Sequence, residues 1–322
     1  MILVETNTVG QPEREPSLDL VGVIIPTRNA ARHWGELSTS LNRQGLQKSQ
    51  ILVVDSSSTD ATAHLARTAG YRVVEIAGSD FNHGGTRQAA CSYFPHAEIL
   101  IFLTQDAIPV SPDALATLCS AFRSATVGAA YGRQLARAQA KAIERHARHF
   151  NYPAQSEVRA LERRETLGLK TAFLSNSFAA YRRTALDGVG GFPLNVVLAE
   201  DSVVAARMLL AGWQIAYVAE AAVVHSHAFS LRQEFARYFD TGVHHTREPW
   251  LLEAFGGAGD EGRRFVRSEL LYLAKHERLS MLQAVLRTGI KWMAYRLGRQ
   301  ESRLPLRWKR RLTSNPNFWN TR

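Results

Sequence analysis

Two short segments in the first third of the chain carry the residue types that phosphate chemistry needs. Phe81-Asn-His-Gly-Gly-Thr-Arg-Gln88 is a glycine pair that opens a helical pattern and ends in a cation, Arg87. Gly84 and Gly85 permit close backbone approach, and a helix start offers free N–H groups to an anion. Phe102-Leu-Thr-Gln-Asp-Ala107 sets a lone acid, Asp106, at the end of an apolar strand pattern. A carboxylate there supplies an oxygen ligand for a hard cation. Together the two segments suit a diphosphate bridged by a divalent ion. Taken singly, each has a plainer explanation: a solvent-facing arginine on a helix, and an aspartate capping a turn.

Further along lie a second set of acids and two histidines. Glu200-Asp201 opens a helical pattern with Arg207 beyond it. Acids at a helix start are favoured by the dipole, so capping is the plain reading. The chemical reading is a general base that takes a proton from an attacking hydroxyl. His225 and His227 follow a strand pattern as Val223-Val-His-Ser-His-Ala228. Alternate strand residues face one way, so one or both imidazoles can reach the ion held by Asp106. Asp55 ends the run Val53-Val-Asp-Ser-Ser-Ser-Thr-Asp60. It either accepts a hydrogen bond from a pyrimidine ring N–H or caps the turn after it, whereas Asp60 reads as a helix N-cap. No glycine loop ending in Lys-Ser/Thr is present, which argues against a P-loop nucleotidase.

The elements that must position these residues alternate between strand and helix. Apolar strand runs occur at Val21–Ile25, Ile51–Val54, Arg72–Ile76 and Ile99–Leu103. Helical patterns fill the gaps at Trp34–Gln44, Asp60–Ala69, Gly85–Tyr93 and Asp113–Ser124, the last with Ser111-Pro112 as cap and first-turn proline. Such alternation predicts an α/β fold, a mostly parallel open sheet with helices on both faces. Ligands on such sheets bind beyond the carboxyl ends of the strands. Thr27, Arg28, Asp55, Thr104, Gln105 and Asp106 all fall there. Later, Lys141–His149 reads as helix or loop, Ala172–Tyr181 as a strand, Asp201–Ala211 as a helix, and Gln214–Val218 and Ala222–His225 as two strands. Helices at Arg232–Thr241, Arg263–Lys275 and Ser280–Leu297 form a helical extension. The expected division is an N-terminal extension over 1–19, a catalytic domain over 20–231 and a basic helical region over 232–322.

Composition limits the partners. The chain has 322 residues, 45% hydrophobic and 21% charged, which is ordinary for a globular protein. Its net charge of +10 is concentrated: Arg287 to Arg322 holds ten Lys/Arg against one acid, Glu301, leaving the other 286 residues close to neutral. A nucleic-acid binder would spread its cations over a reading surface, so no nucleic acid is expected as a partner. Two cysteines, Cys91 and Cys119, cannot build a disulfide framework and suit a reducing compartment. The first nineteen residues lack a basic start and do not read as a secretory signal, and no apolar run reaches the ~18 residues of a membrane span. The expected location is cytoplasmic, with peripheral membrane association as an extension of that reading.

The tail offers one more pattern. Leu282, Leu286, Ile290, Met293 and Leu297 recur at helical spacing, with Arg287 and Lys291 pointing away. Arg299, Arg303, Arg307, Lys309, Arg310 and Arg311 follow, interleaved with Leu304, Leu306 and Trp308. The stripe can pack on the catalytic domain, lie on an anionic membrane surface, or join copies in a homo-oligomer.

The order of motifs resembles a known family. Val23-Ile-Ile-Pro-Thr-Arg-Asn29, Val53-Val-Asp55 with Asp60, Gln105-Asp106, Gly190-Gly191-Phe192, Glu200-Asp201 with Arg207, Gly212-Trp213 and His225 resemble the family-two glycosyltransferases of the GT-A fold. The match runs from about Leu20 to His227. Phe81–Arg87, Phe102–Ala107 and Arg237-Tyr-Phe-Asp-Thr-Gly-Val243 look more narrowly like bacterial rhamnosyltransferases of that family. The resemblance implies an inverting transfer of L-rhamnose from dTDP-L-rhamnose to a glycan or lipid-linked acceptor in surface polysaccharide (O-antigen) synthesis. It implies that Pro26, Thr27 and Arg28 line the nucleoside pocket and that Asp55 meets the base. Arg87 lies near the diphosphate, with Gln105 and Asp106 on the donor. Asp201 is the base with Glu200 beside it, and Asp106 with His225 or His227 holds Mg²⁺ or Mn²⁺. Thr104 stands where many members keep the first acid of an Asp-x-Asp metal motif. The alternatives are another donor, such as a UDP-hexose, on the same fold, and a non-catalytic basic adaptor for anionic lipid or nucleic acid.

Overall fold

The computed structural model describes residues 17–257 and 259–320, so most of the expected N-terminal extension lies outside the described residues. Nine strands form one sheet: β1 Val21–Thr27, β2 Ile51–Ser56, β3 Arg72–Ile76, β4 Ile99–Leu103, β5 Ile108–Pro109, β6 Val127–Leu135, β7 Glu157–Arg159, β8 Phe178–Arg182 and β9 Gln214–Val224. The helices are α1 Ala31–Leu41, α2 Thr62–Thr68, α3 His83–Cys91, α4 Ala114–Cys119, α5 Ala142–Asn151, α6 Arg164–Leu167 and α7 Arg183–Gly188. They continue with α8 Glu200–Leu210, α9 Leu231–Arg247, α10 Pro249–Phe255, α11 Gly259–His276, α12 Ser280–Gly298 and α13 Leu306–Leu312.

The apolar runs starting at Val21, Ile51, Arg72 and Ile99 fold as the strands their pattern predicts. β1, β2 and β4 are apolar runs buried on both faces, the mark of parallel strands covered on each side by helices. They pair in parallel in the order β3-β2-β1-β4. Beyond β4 the sheet becomes mixed: β8 runs antiparallel to β4 and β6, β6 runs parallel to β9, and β5 and β7 lie antiparallel to β9. Two apolar clusters line the faces of this sheet. One gathers Phe102, Tyr181 and Phe192 in edge-to-face contact, and the other Ile25, Trp34, Leu37 and Leu118.

Several local expectations need correction. Gln214–Val224 is one strand rather than two. The register with β6 jumps from Gly132–Val218 to Arg133–Ala222, so the apparent break is a bulge over residues 219–221. Gly132 permits it, since a Cβ there would lie 2.5 Å from the Ala221 carbonyl oxygen. Only Phe178–Arg182 of the expected strand from Ala172 is extended, because Gly168–Ala172 winds as a 3₁₀ turn. Ser111-Pro112 does not cap a helix: α4 starts at Ala114 and has no side-chain cap.

From Leu231 onward the chain is a helical layer. α12 crosses α9 where Gly298 faces Gly242, a contact so close that a Cβ on Gly298 would lie 2.0 Å from the Phe239 carbonyl oxygen. Residues 313–320 then fold back over the α/β part of the chain. Asp240 of α9 accepts hydrogen bonds from Thr313 Oγ1 (2.6 Å) and Ser314 N (2.8 Å). Asn315 donates to the Val197 carbonyl at 2.6 Å, and Asn317 donates to that of Gly78 at 2.8 Å. Arg247 lies between the rings of Phe318 and Trp319 and pairs with Glu301, which also holds Lys309.

Candidate active site

The carboxyl ends of β1, β2 and β4 meet in a network of polar side chains. Asp55 is 1% exposed and accepts hydrogen bonds from Thr27 Oγ1 (3.3 Å), Ser58 N (2.9 Å) and Ser58 Oγ. The first task of this carboxylate is to shape the loop after β2. Gln105 binds the Arg28 backbone reciprocally, accepting from its N–H at 2.6 Å and donating to its carbonyl at 3.1 Å. The Arg28 side chain stays exposed, and Pro26 is half-buried beside Val54 of β2. Asp60 is not the helix cap expected of it; Ala61 holds that position, and Asp60 accepts from Thr62 N and from Ala31 N at the head of α1. The non-glycine residues with positive φ among those described are Asn29 and Ser57, just past the ends of β1 and β2, and Ala199, before Glu200. Left-handed backbone at such positions is strain that the surrounding bonds must hold.

Asp106, His225 and His227 come together as the sequence predicts. Asp106 Oδ1 lies 3.4 Å from His225 Nε2, and Oδ2 lies 3.3 Å from His227 Nε2. One donor atom from each falls within 4.8 Å of the others. A residue outside the sequence reading sets their chemistry. Gln134 Oε1 accepts from Arg148 Nη1 at 2.8 Å, and Arg148 is a pure donor, so the amide orientation is fixed. The same oxygen lies 2.8 Å from His225 Nδ1, which must therefore carry hydrogen, so Nε2 is the nitrogen free to bind a cation. Nε2 faces a carboxylate oxygen of Asp106 across 3.4 Å, a gap that a proton or a metal cation bridges. Burial would raise the Asp106 carboxyl, but the facing imidazoles outweigh it and hold the acid well below the usual range. Nitrogen and oxygen donors at this spacing fit a divalent ion. Gln134 gave only one signal in the sequence, a polar side chain on a buried strand.

Glu200 and Asp201 sit at the head of α8 in opposite electrostatic states. Glu200 is 5% exposed and pairs with Arg87 Nη1 at 3.1 Å, while Asn176 Nδ2 donates to it at 3.0 Å. Burial raises its carboxyl, and the Arg87 charge more than reverses this, so Glu200 is ionised. Asp201 accepts from Asn176 N (3.0 Å) and Ser202 N (2.8 Å). Burial, followed by the negative charge of Glu200, pushes it up to about 7. A carboxylate near neutrality is suited to taking a proton at working pH.

Arg87 does not open onto a groove as the glycine-pair reading supposed. It is 5% exposed, bound to Glu200 and to the His83 carbonyl at 2.9 Å. Gly84 has no room for a ligand either, since a Cβ there would lie 1.9 Å from the Pro193 carbonyl oxygen. The Phe81–Gln88 segment instead grips the loop before α8. Asn82 donates to the Leu194 carbonyl, and Gln88 accepts from Phe192 N at 2.8 Å. The accessible cation near the Asp106 cluster is Arg237 of α9. Its guanidinium lies 5.0 Å over the Phe229 ring, which stacks on His227 at 5.1 Å. Arg237 is exposed and has no ion pair among the described residues.

A cavity of about 540 Å³ opens beside the start of α8, lined by Lys170, Phe173, Ser202, Thr241, His244 and Phe255 among others. His244 is 3% exposed and its Nδ1 has no partner. Much of its lining comes from 141–170 and from the helices after Arg232, where the sequence pattern is weakest.

Comparison with known proteins identifies the family. Residues 22–190 match the family "Glycosyl transferase family 2". The chain is 44% identical to the O-antigen chain rhamnosyltransferase WbaN of Salmonella anatum, over 92% of this chain and 95% of the relative. It is 43% identical to the O-antigen chain rhamnosyltransferase RfbN of Salmonella typhimurium, over 93% and 96% of the two chains. A mannosyltransferase from Pyrobaculum calidifontis, solved with GDP-Man and Mn²⁺, superposes with a TM-score of 0.57 at 18% identity, covering 98% of this chain and 89% of that one, and supports the GT-A fold alone. The chain belongs to glycosyl transferase family 2 and is a glycosyltransferase.

Proposed function

We propose that this enzyme transfers L-rhamnose from dTDP-L-rhamnose, with inversion, to a hydroxyl of a glycan or lipid-linked acceptor in bacterial surface polysaccharide synthesis. The observation that carries the donor assignment is the similarity to two O-antigen chain rhamnosyltransferases over nearly the whole chain. Asp201 is the base. The acceptor oxygen forms a bond to the anomeric carbon, the bond from that carbon to the diphosphate breaks, and the hydroxyl proton passes to Asp201. Glu200 stays ionised in its pair with Arg87, so it holds Asp201 high rather than taking the proton itself.

Pro26, Thr27, Arg28 and Asp55 form the nucleoside end of the site, and Gln105 fixes the loop between them. Asp106, His225 and His227 would hold Mg²⁺ or Mn²⁺, which when bound neutralises charge on the leaving diphosphate. The imidazoles favour Mn²⁺. Arg237 takes the diphosphate role first expected of Arg87, because it is the free cation beside that cluster. The cavity between residues 151–173 and 241–264 receives the acceptor sugar. Residues 20–231 are the catalytic unit, and the helical layer from 232 completes its acceptor side. No helix among the described residues is long and apolar enough to cross a membrane. The enzyme works at the cytoplasmic face of the inner membrane as a peripheral protein.

Purified protein offered dTDP-L-rhamnose, UDP-glucose and GDP-mannose with a lipid-linked acceptor tests the reading. Turnover is expected with the first, with product anomers inverted by NMR. Turnover confined to a UDP-hexose would replace the donor assignment while leaving the fold and base in place.

A further inference from the structure

Most of the apolar stripe of α12 does not pack on the protein; Leu297 at its end joins the cluster around Phe239 and Ile290 is half-buried, but the rest faces out. Leu282 is 81% exposed, Trp292 67%, Val285 55%, Leu286 54% and Met293 52%, and Leu279 just before the helix is 96% exposed. The face turned inward carries small residues and cations along its middle, with Met281 at one end and Tyr295 and Leu297 at the other. Ala284, Ala294 and Gly298 are buried against α9 and its neighbours, while Arg287 and Lys291 reach Glu234 at 2.9 and 3.6 Å. The helix is therefore set with its charges in and its large apolar side chains out, the reverse of ordinary solvent-facing polarity. A contiguous apolar face of this kind marks a binding surface.

Charge around the face identifies its occupant. Lys275 and Arg278 lie exposed before α12, and Arg296 and Arg299 lie exposed at its end, with the Arg296 guanidinium 5.8 Å over Trp292. The acids of residues 275–320 are Glu277 and Glu301, and both are engaged inside the protein, Glu277 by Ala142 N and Ser280, Glu301 by Arg247 and Lys309. A second copy of this face, placed parallel or antiparallel, would bring cationic end against cationic end. An anionic lipid surface meets both features at once: acyl chains receive the leucines and tryptophan, and headgroups receive the flanking cations. We propose that α12 lies in the plane of an anionic bilayer as the membrane-docking helix of this enzyme. This extends the peripheral location proposed above by naming the surface responsible.

The test uses the full chain and vesicles of phosphatidylcholine with and without phosphatidylglycerol. Truncation after Gly298 is unsuitable, because residues 313–320 hold Asp240, Val197 and Gly78. The chosen variants are Leu282→Gln/Leu286→Gln/Trp292→Gln and Arg278→Gln/Arg296→Gln, all at exposed positions, with the fold checked by thermal melting. Wild-type protein should co-sediment with phosphatidylglycerol vesicles, more weakly at high salt. The apolar variant should lose affinity by at least ~10-fold, and the cation variant should lose most of its salt dependence. Turnover with a water-soluble acceptor should stay at the wild-type level in both, which separates docking from transfer. Absence of wild-type binding to phosphatidylglycerol vesicles, or equal binding by the apolar variant, would overturn the proposal. So would a dimer that the apolar variant dissolves while neither protein binds vesicles.

Discussion

The active site and the α12 layer assign polarity in opposite ways. At the head of α8, Arg87 and Glu200 are each 5% exposed and tolerate burial because each has the other and a backbone or amide partner. On α12, Arg287 and Lys291 also turn inward, to Glu234, but here the inward turn sends Leu282, Leu286 and Trp292 out into solvent. In both places a cation goes where its acid is, and the apolar residues follow the geometry left over. The difference is what surrounds the pair: packed loops at α8, one helix face at α12.

The largest effect expected on this contrast is at Asp201. Asp201→Asn keeps its shape and removes its basicity, so turnover should fall by ~10²–10⁴-fold, with donor affinity by calorimetry near wild type. Wild-type turnover in this variant would transfer the base to another group.

Next comes the buried pair. Arg87→Met leaves Glu200 charged and unpaired, and breaking such a pair costs about 3–5 kcal/mol, readable as a denaturant midpoint shift. By contrast Arg237→Ala, an exposed position, should leave stability nearly unchanged yet weaken dTDP binding with little effect on thymidine. A small stability loss in the Arg87 variant would mean that α8 does not depend on this pair, and the contrast with Arg237 would fail.

Acid response sharpens the same region. Because the folded-state value of Asp201 lies near 7 against an ordinary 3.8, its protonated form is favoured in the native state. Its contribution to stability is therefore present at low pH and is lost as pH rises from about 4 through about 7. Activity needs the ionised form and should rise over that same window. Melting temperature and initial rate against pH check the opposition, and Asp201→Asn should remove this term from the melting profile.

A more modest effect is expected at Gln134. Gln134→Leu frees the His225 ring to rotate or change tautomer, and loss of such an orienting partner costs about 10–100-fold in metal affinity. Mn²⁺ titration by calorimetry measures it. The smallest effect belongs to α12: Leu286→Gln should alter stability by no more than about 0.5 kcal/mol, since its side chain touches little in the folded chain.

The two regions also differ in how well the sequence announces them. β1, β2 and β4 were legible because strands buried on both faces must be continuous apolar runs. The acids followed, since Asp55, Asp106 and Glu200-Asp201 stand at the ends of such elements. β6 escaped notice because Val127-Gly-Ala-Ala-Tyr-Gly-Arg-Gln-Leu135 mixes glycine, alanine and polar residues, and only its neighbours β8 and β9 make it a central strand. Gln134 was hidden with it. The role of Arg87 was misread because a sequence shows a cation beside two glycines but not the Pro193 loop that fills the space. For α12 the periodicity revealed an apolar face, yet periodicity cannot say which face is turned inward. That depended on the Gly298–Gly242 crossing and on Glu234, both matters of distant contact.

The return of residues 313–320 over the sheet's loops also imposes a delay. The hydrogen bond from Asn317 to Gly78 joins residues 239 positions apart. At ~5–20 residues per second of synthesis, the loop around Gly78 waits on the order of ten to fifty seconds for its partner to be made. Val197 and Asp240 wait as well, over the 118 and 73 positions to Asn315 and Thr313. A nascent chain can thus assemble its parallel sheet early, but it reaches its final arrangement around α9 only near the close of translation.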